Sequence, residues 1–238
     1  MNMNMKTRTS KTLKRTEAVA SVFLLTLLLA CEPGKNTAAQ EQPKPAAATP
    51  AAATPAGMVR YDASPTGSKM TIEGTSSIHD WTMESVLIGG YLETDAKFPE
   101  SALTDAKAAK PVVNVYMPVR SFKSGKSTMD NRMQKEMKEP QFKRIEYKLV
   151  ELKPKSAAGA TGALKFDAVG TLTIVGKTRT NTMPVTIEKL ADGKLKITGS
   201  TPLKMTDYGI DPPTTLGLFT TGDDLKLKFE WMAAPKAP

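Results

Sequence analysis

From Met58 to Trp231 apolar and polar residues alternate with a period of two, broken by turn residues at short intervals. Val59–Tyr61 opens the series, and a Ser/Pro/Gly turn separates it from Lys69–Thr75. Thr82–Thr94 is long enough to bend at Gly89-Gly90. Pro111–Val119 sets Val113, Val115 and Met117 on one face. Further strands are predicted over Arg144–Lys153, Leu164–Val175, Thr178–Lys189, Lys194–Leu203 and Leu225–Trp231. Nine strands, each with one apolar and one polar face, describe an antiparallel sheet. Few helices are available to cover the apolar face, so the sheet must cover itself as a barrel or a sandwich. A barrel of about eight strands has an interior that is either packed with side chains or hollow enough for one small ligand.

One stretch, Val119 to Leu152, breaks the rhythm. Gly125 ends a strand, and Ser127 or Thr128 is placed to cap a helix with Asp130 near its positive end. Met129, Met133 and Met137 follow at i, i+4 and i+8 and share a face. Lys135 and Lys138 suit the last turn, and Pro140 stops the helix. Ile145, Tyr147 and Leu149 then alternate with Glu146, Lys148 and Val150. A helix this short is marginal alone in water, so its methionines must dock on something apolar, and a barrel end is the natural place. Methionine is also a common gap filler, so a plain core plug is the alternative to a gate. Lys97–Lys110, polar and alanine-rich, is a loop or a short helix.

The first 57 residues read differently. Lys6, Arg8, Lys11, Lys14 and Arg15 form a basic segment before the apolar run 18–30, which is short for a membrane span. The run ends Leu28-Leu29-Ala30-Cys31, which resembles the lipobox of bacterial lipoproteins, with Leu29 in place of the usual small residue. That resemblance implies lipidation of Cys31, export, and, with Glu32 next, an outer-membrane destination. A free thiol or an interchain disulfide are the other readings of this single cysteine. Residues 32–57 are Pro-, Ala- and Thr-rich and read as an extended tether. The expected organisation is thus a signal over 1–31, a tether over 32–57 and a β-barrel domain over 58–238.

Charge changes the picture little. The chain carries +9, but residues 1–57 hold 7 of the 33 Lys/Arg and 3 of the 24 Asp/Glu, leaving +5 on residues 58–238. Lysines are scattered between apolar strand positions, without the concentrated basic face and interleaved aromatics that nucleic acid requires. No nucleic-acid partner is expected. His79 is the one histidine, in Ser76-Ser77-Ile78-His79-Asp80-Trp81. Triad members converge from distant positions around a nucleophile, whereas these crowd into one turn without a G-x-S-x-G elbow. No catalytic residue is assigned. No metal or cofactor is expected, since one His leaves only carboxylates outside any D-x-D-x-D-G loop.

Several segments resemble the YceI-like family. Gly170-Thr171-Leu172-Thr173-Ile174-Val175-Gly176-Lys177-Thr178-Arg179 is similar to its G-x-L-T-hydrophobic-x-G-x-T-K/R strand and hairpin. Asp207-Tyr208-Gly209-Ile210 resembles its D-F-G-I loop, and Ser121–Tyr147 its turn, helix, Pro and strand. Gly222-Asp223-Asp224-Leu225 and the strand after it resemble its last strand. The resemblance spans roughly Met58 to Ala233. It implies an exported, all-β, lipocalin-like antiparallel barrel with an inserted short helix, holding a polyisoprenoid or fatty-acid-like chain in its lumen. Arg132 stands where many members have a His, Met205 where an Arg often precedes the D-F-G-I loop, and the stretch from Arg132 to Pro140 is short, so the head group does not carry over.

The expected lumen is lined by Ile145, Tyr147, Leu172, Ile174 and Phe229, with Met133, Met137 and Phe142 as its gate. Trp81 either lines the mouth or fills the core. Arg120, Arg132 and Arg144 surround the helix and are candidates for an anionic head or plain surface charges, and Tyr208 is a candidate lid. The expected partner is an isoprenoid or acyl-chain lipid, with the membrane reached through the lipid anchor. The competing readings are a filled barrel serving as an envelope structural or stress module, and a hydrolase using His79.

Overall fold

The structure, a computed structural model, describes residues 57–215 and 218–236. The expected signal, Cys31 and nearly all of the tether lie outside those residues. Among the described residues there are eleven strands: β1 (Met58–Ala63), β2 (Lys69–Ser76), β3 (Trp81–Ser85), β4 (Gly89–Asp95), β5 (Val112–Pro118), β6 (Arg144–Pro154), β7 (Leu164–Ile174), β8 (Lys177–Lys189), β9 (Leu195–Lys204), β10 (Thr214–Thr215) and β11 (Phe219–Pro235). Helices α1 (Ser101–Thr104) and α2 (Ala106–Ala109) follow β4, and α3 (Ser127–Glu136) follows β5.

All strand pairs are antiparallel. β1 and β2 form one bent stave, and β3 and β4 form the next. With β5 to β9 and β11 they make a closed eight-stave barrel. Closure falls on β11, which pairs β2 through Leu225–Glu230 and then β1 through Ala233–Pro235. The bend in the first stave is stitched shut. Ser64 N donates to Met232 O at 2.8 Å, and Met232 N donates to the buried Ser68 Oγ at 3.0 Å. The expected single strand over Thr82–Thr94 is therefore two strands, interrupted where Val86 and Leu87 turn out to solvent.

Alternation sets the walls. β7 reads buried at Leu164, Phe166, Ala168, Leu172 and Ile174. In β6 a bulge between Leu149 and Glu151 resets the phase, so Val150 is exposed and Leu152 returns inward. β7 and β8 join through Val175-Gly176, both at positive φ (48° and 72°), the primed hairpin geometry. β11 is longer than the sequence pattern shows, because a bulge between Thr221 and Leu225 hides its first turns.

One end of the barrel is closed by the α1–α2 segment, which buries Phe98, Ala102, Leu103 and Ala109. The other end carries α3 and the 3-10 turn Thr206–Tyr208. α3 starts without the expected Ser127 or Thr128 cap: its N-cap is Lys126, with no side-chain bond. Instead the buried Asp130 carboxylate reaches back and accepts from Ser124 N at 2.8 Å and Ser124 Oγ at 2.7 Å. The helix also stops earlier than Pro140. Lys138 adopts φ 49°, Lys138 N donates to Lys135 O at 2.9 Å, and Glu139 N donates to Gln134 O at 3.0 Å. That is a Schellman stop with lysine where glycine is usual.

Candidate functional site: a lumen in two chambers

The staves run from the α3 end inward, and successive inward residues reach different depths. On β6 Ile145 comes first, then Tyr147, Leu149 and Leu152; on β7 Ile174 comes first, then Leu172 and Ala168. Two cavities follow this order. The outer one, about 490 Å³, lies under α3. Its wall includes Ile72, Trp81, Met83, Ile145, Ile174, Leu203 and Leu225, and its roof Met129, Met133 and Met137. The inner one, about 90 Å³, is lined by Tyr147, Leu172, Met183, Phe229 and Trp231 and ends at Phe98. Leu227 borders both. The outer volume lies within the range of small-molecule sites, and the inner one has room only for the end of a chain.

Glycines keep this space open. Gly74 stands opposite Trp81, and Gly199 opposite Phe229. Gly170 is diagonal to Tyr147. A Cβ at Gly74 would collide with the Trp81 indole, one at Gly170 with Tyr147 Cζ and Oη, and one at Gly199 would lie 2.7 Å from Phe229 Cζ. Each ring thus lies on bare backbone of the neighbouring stave, flat on the wall instead of across the lumen.

Polar groups within the wall are few. Trp81 Nε1 donates to Thr75 O at 3.0 Å. Asn181 Nδ2 donates to the buried Thr201 Oγ1 at 3.0 Å. Tyr147 Oη and Trp231 Nε1 are buried without a partner among the described residues. Burial pushes the Tyr147 hydroxyl up to about 12, so it stays protonated at any ordinary pH. Polar character collects at the mouth instead, in Ser76, His79, Thr128, Arg132, Glu136, Thr220 and Thr221.

The sequence-derived site residues divide accordingly. Trp81, Met133, Met137, Ile145 and Ile174 meet in the outer chamber; Tyr147, Leu172 and Phe229 line the inner one. Phe142 is a correction: it lines neither chamber and packs outside on the hairpin glycine, where a Cβ of Gly176 would lie 2.6 Å from its ring. Helix α3 ends before it, and the turn at Lys138 swings residue 142 away from the methionine face. Of the three arginines only Arg132 borders the cavity. Arg120 Nε meets the buried Glu139 at 2.8 Å, and the Arg144 guanidinium stacks on Tyr116 at 4.2 Å. Tyr208 is buried beside Met205 and Ile210 at the cavity edge.

Residues the periodicity did not mark also shape the mouth: Ile78, Phe219, Thr220 and Thr221. They meet because two turns far apart in sequence are bonded, Ser77 N donating to Thr220 O at 2.9 Å and Thr220 N to Ser77 Oγ at 3.1 Å. Turn residues carry no period, so no signal in the sequence pairs them.

The crowded Ser76–His79–Asp80 turn forms no relay. Ser76 Oγ donates to the His79 carbonyl at 2.7 Å and accepts from Ile78 and His79 N–H. The His79 ring nitrogen Nδ1 sits 2.9 Å from the Asp80 backbone carbonyl, not its carboxylate. Among the described residues no group of three His, Cys, Asp or Glu side chains is placed to hold a metal ion.

Residues 61–233 match the family described as the YceI-like domain. The chain belongs to the YceI-like family. Its barrel is similar to BcnA of Burkholderia cenocepacia, with 19% identity, TM-score 0.55, and cover of 70% of this chain and 96% of that one. It is also similar to a polyisoprenoid binding domain from Saccharophagus degradans implicated in plant cell wall breakdown, with 12% identity, TM-score 0.55, and cover of 76% and 99%. No curated protein is significantly similar to it in sequence. The two solved structures share the barrel fold with this chain.

Proposed function

We propose that this YceI-like barrel binds or carries one long-chain amphiphile, a polyisoprenoid or fatty-acid-like lipid, within its lumen in the bacterial cell envelope, and does no chemistry on it. The observation that carries this reading is the pair of stacked chambers, bordered in common by Leu227, dead-ended at Phe98 and roofed by a methionine face. The polyisoprenoid-binding description of the Saccharophagus domain supports the ligand class. Each buried methylene contributes about 0.8 kcal/mol, so ten of them supply roughly 8 kcal/mol before ordering costs, provided the lumen is dry.

α3 is the gate in this reading. Methionine suits a surface that must fit a flexible chain, because its arm is unbranched and polarisable. Met133→Gln combined with Met137→Gln should weaken a fluorescent polyprenyl or acyl probe at least tenfold while the strands melt as before. Unchanged affinity would reduce the helix to a plain plug.

Export and anchoring complete the proposal. Cys31 is the proposed lipidation site, and residues 32–57 hold the barrel off the membrane. Several acyl chains on one residue anchor firmly where a single chain does not. Fed a labelled fatty acid, cells should label the wild-type protein and not Cys31→Ser. Equal labelling of the two would remove the anchor.

A further inference from the structure

We infer that the mouth end of the barrel docks on an anionic phospholipid bilayer, with an apolar rim dipping into the interface and the lysines around α3 facing the lipid phosphates. The docking concerns the outer surface and stands apart from what the lumen holds.

Single exposed apolar side chains are ordinary on a protein surface, whereas a gathered patch marks an interaction site. Ile78, Leu218 and Phe219 are 61%, 75% and 42% exposed, and they gather at one place. The bonds between Ser77 and Thr220 hold the turn that carries Ile78 against the segment that carries Leu218 and Phe219. Ile78 and Phe219 also border the outer chamber, so the patch is the rim of its opening. Asp80 is the one acid in residues 76–80, and residues 213–220 hold none.

Charge is spread unevenly over the domain. Residues 119–144, which cross this end of the barrel and include α3, hold 8 of the 26 Lys/Arg of residues 58–238 and 3 of their 21 Asp/Glu. The remainder balances at 18 of each, so the whole surplus of +5 sits in this segment. Its three acids are already engaged. Glu139 meets Arg120 at 2.8 Å, Asp130 lies 3.8 Å from Lys123, and Glu136 lies 3.9 Å from Arg132. The segment has no further acid for Lys126, Lys135, Lys138 and Lys143, all of them exposed. α3 turns Met133 and Met137 into the cavity, which puts Lys135 and Lys138 on its outer side. Arg132 Nη2 donates to Thr214 O at 2.9 Å, and Thr215 pairs with Phe219, so the basic helix adjoins the apolar rim.

An apolar rim beside exposed lysines fits an anionic bilayer. The apolar side chains leave water at the headgroup boundary, and each lysine adds attraction to phosphate. A second copy of the chain is a poorer occupant, because it would bring the same positive surplus against itself. With the lumen reading above, docking gives a chain a route between bilayer and outer chamber that avoids water.

The test puts an NBD fluorophore on a single cysteine of the full-length chain carrying Cys31→Ser. The cysteine is Leu218→Cys on the rim or Thr104→Cys at the closed end. Quenching by doxyl-labelled lipid is read on vesicles of phosphatidylcholine alone or in equal mixture with phosphatidylglycerol. The label at 218 should be quenched at least threefold more on the anionic vesicles than on the neutral ones, and at least threefold more than the label at 104. Lys126→Gln with Lys135→Gln and Lys143→Gln should remove most of the preference for anionic vesicles without changing thermal melting. Lys138 is left in place because its backbone is left-handed. Ile78→Ser, as the second variant, should weaken quenching at 218 on the anionic vesicles. Equal quenching at 218 and 104, indifference to phosphatidylglycerol, or a signal unmoved by the lysine substitutions would overturn the docking. A dimer in sedimentation velocity without lipid, dissolved by Ile78→Ser, would assign the rim to a second copy and overturn it as well.

Discussion

A Cβ at position 170 would run into the Tyr147 ring, and that single absent carbon decides where the ring lies. Tyr147 is buried, lines the inner chamber, and keeps an unpartnered hydroxyl among the described residues. Gly170→Ala must push the ring off the wall and toward the lumen. The expected cost is about 1–3 kcal/mol of stability, the usual effect of overpacking, together with weaker binding of a long-chain probe. A fall in stability with unchanged probe affinity would show that the inner chamber takes no part in binding. The same residues show what the sequence carries. Tyr147, Leu172, Ile174 and Phe229 were legible because period-two alternation assigns them a face, and a closed barrel turns that face into a lumen. Phe142 was not, because one residue in the left-handed region, Lys138, redirects the chain, and a lysine there gives no warning.

At the scale of elements, α3 depends on two devices invisible to a propensity argument. The Schellman turn ends it, and the Asp130–Ser124 bonds fix its start. Hydrogen bonds from Ser124, with burial opposing, hold the Asp130 carboxyl below its ordinary value of 3.8. A lowered carboxylate contributes stability that is present above that ordinary value and is lost as pH falls through the lowered one. The start of α3 should therefore loosen in acid, below pH 3.8, while the strands persist. Hydrogen exchange is the readout: amides of Ser127–Glu136 should lose protection in acid before those of β7 and β8. Asp130→Ala should show the same early loss at neutral pH, a cost of about 2 kcal/mol for charge-assisted bonds. Simultaneous exchange of α3 and the strands in both cases would contradict a separately fastened gate. Strand existence was readable throughout, whereas the β6 and β11 bulges were not, since an extra residue shifts the phase that the reading follows.

For the whole molecule the decision lies between a hollow barrel and a filled one. Inward apolar residues look alike in sequence whether they touch one another or a ligand, which is why the fold was legible and its occupancy was not. The structure weighs on this point through the rings laid flat on Gly74, Gly170 and Gly199 and the two chambers they leave. The mostly apolar lining of the space of about 490 Å³ under the methionine roof faces water when no chain is bound, and a chain entering it would take that surface out of water. The most direct measurement is organic extraction of the folded protein purified from the membranes of the cells that make it, followed by mass spectrometry. The expected result is one long-chain amphiphile released in near-equimolar amount, and lost from the protein carrying Met133→Gln with Met137→Gln. Protein that comes through native purification folded and yields no such molecule would contradict the account.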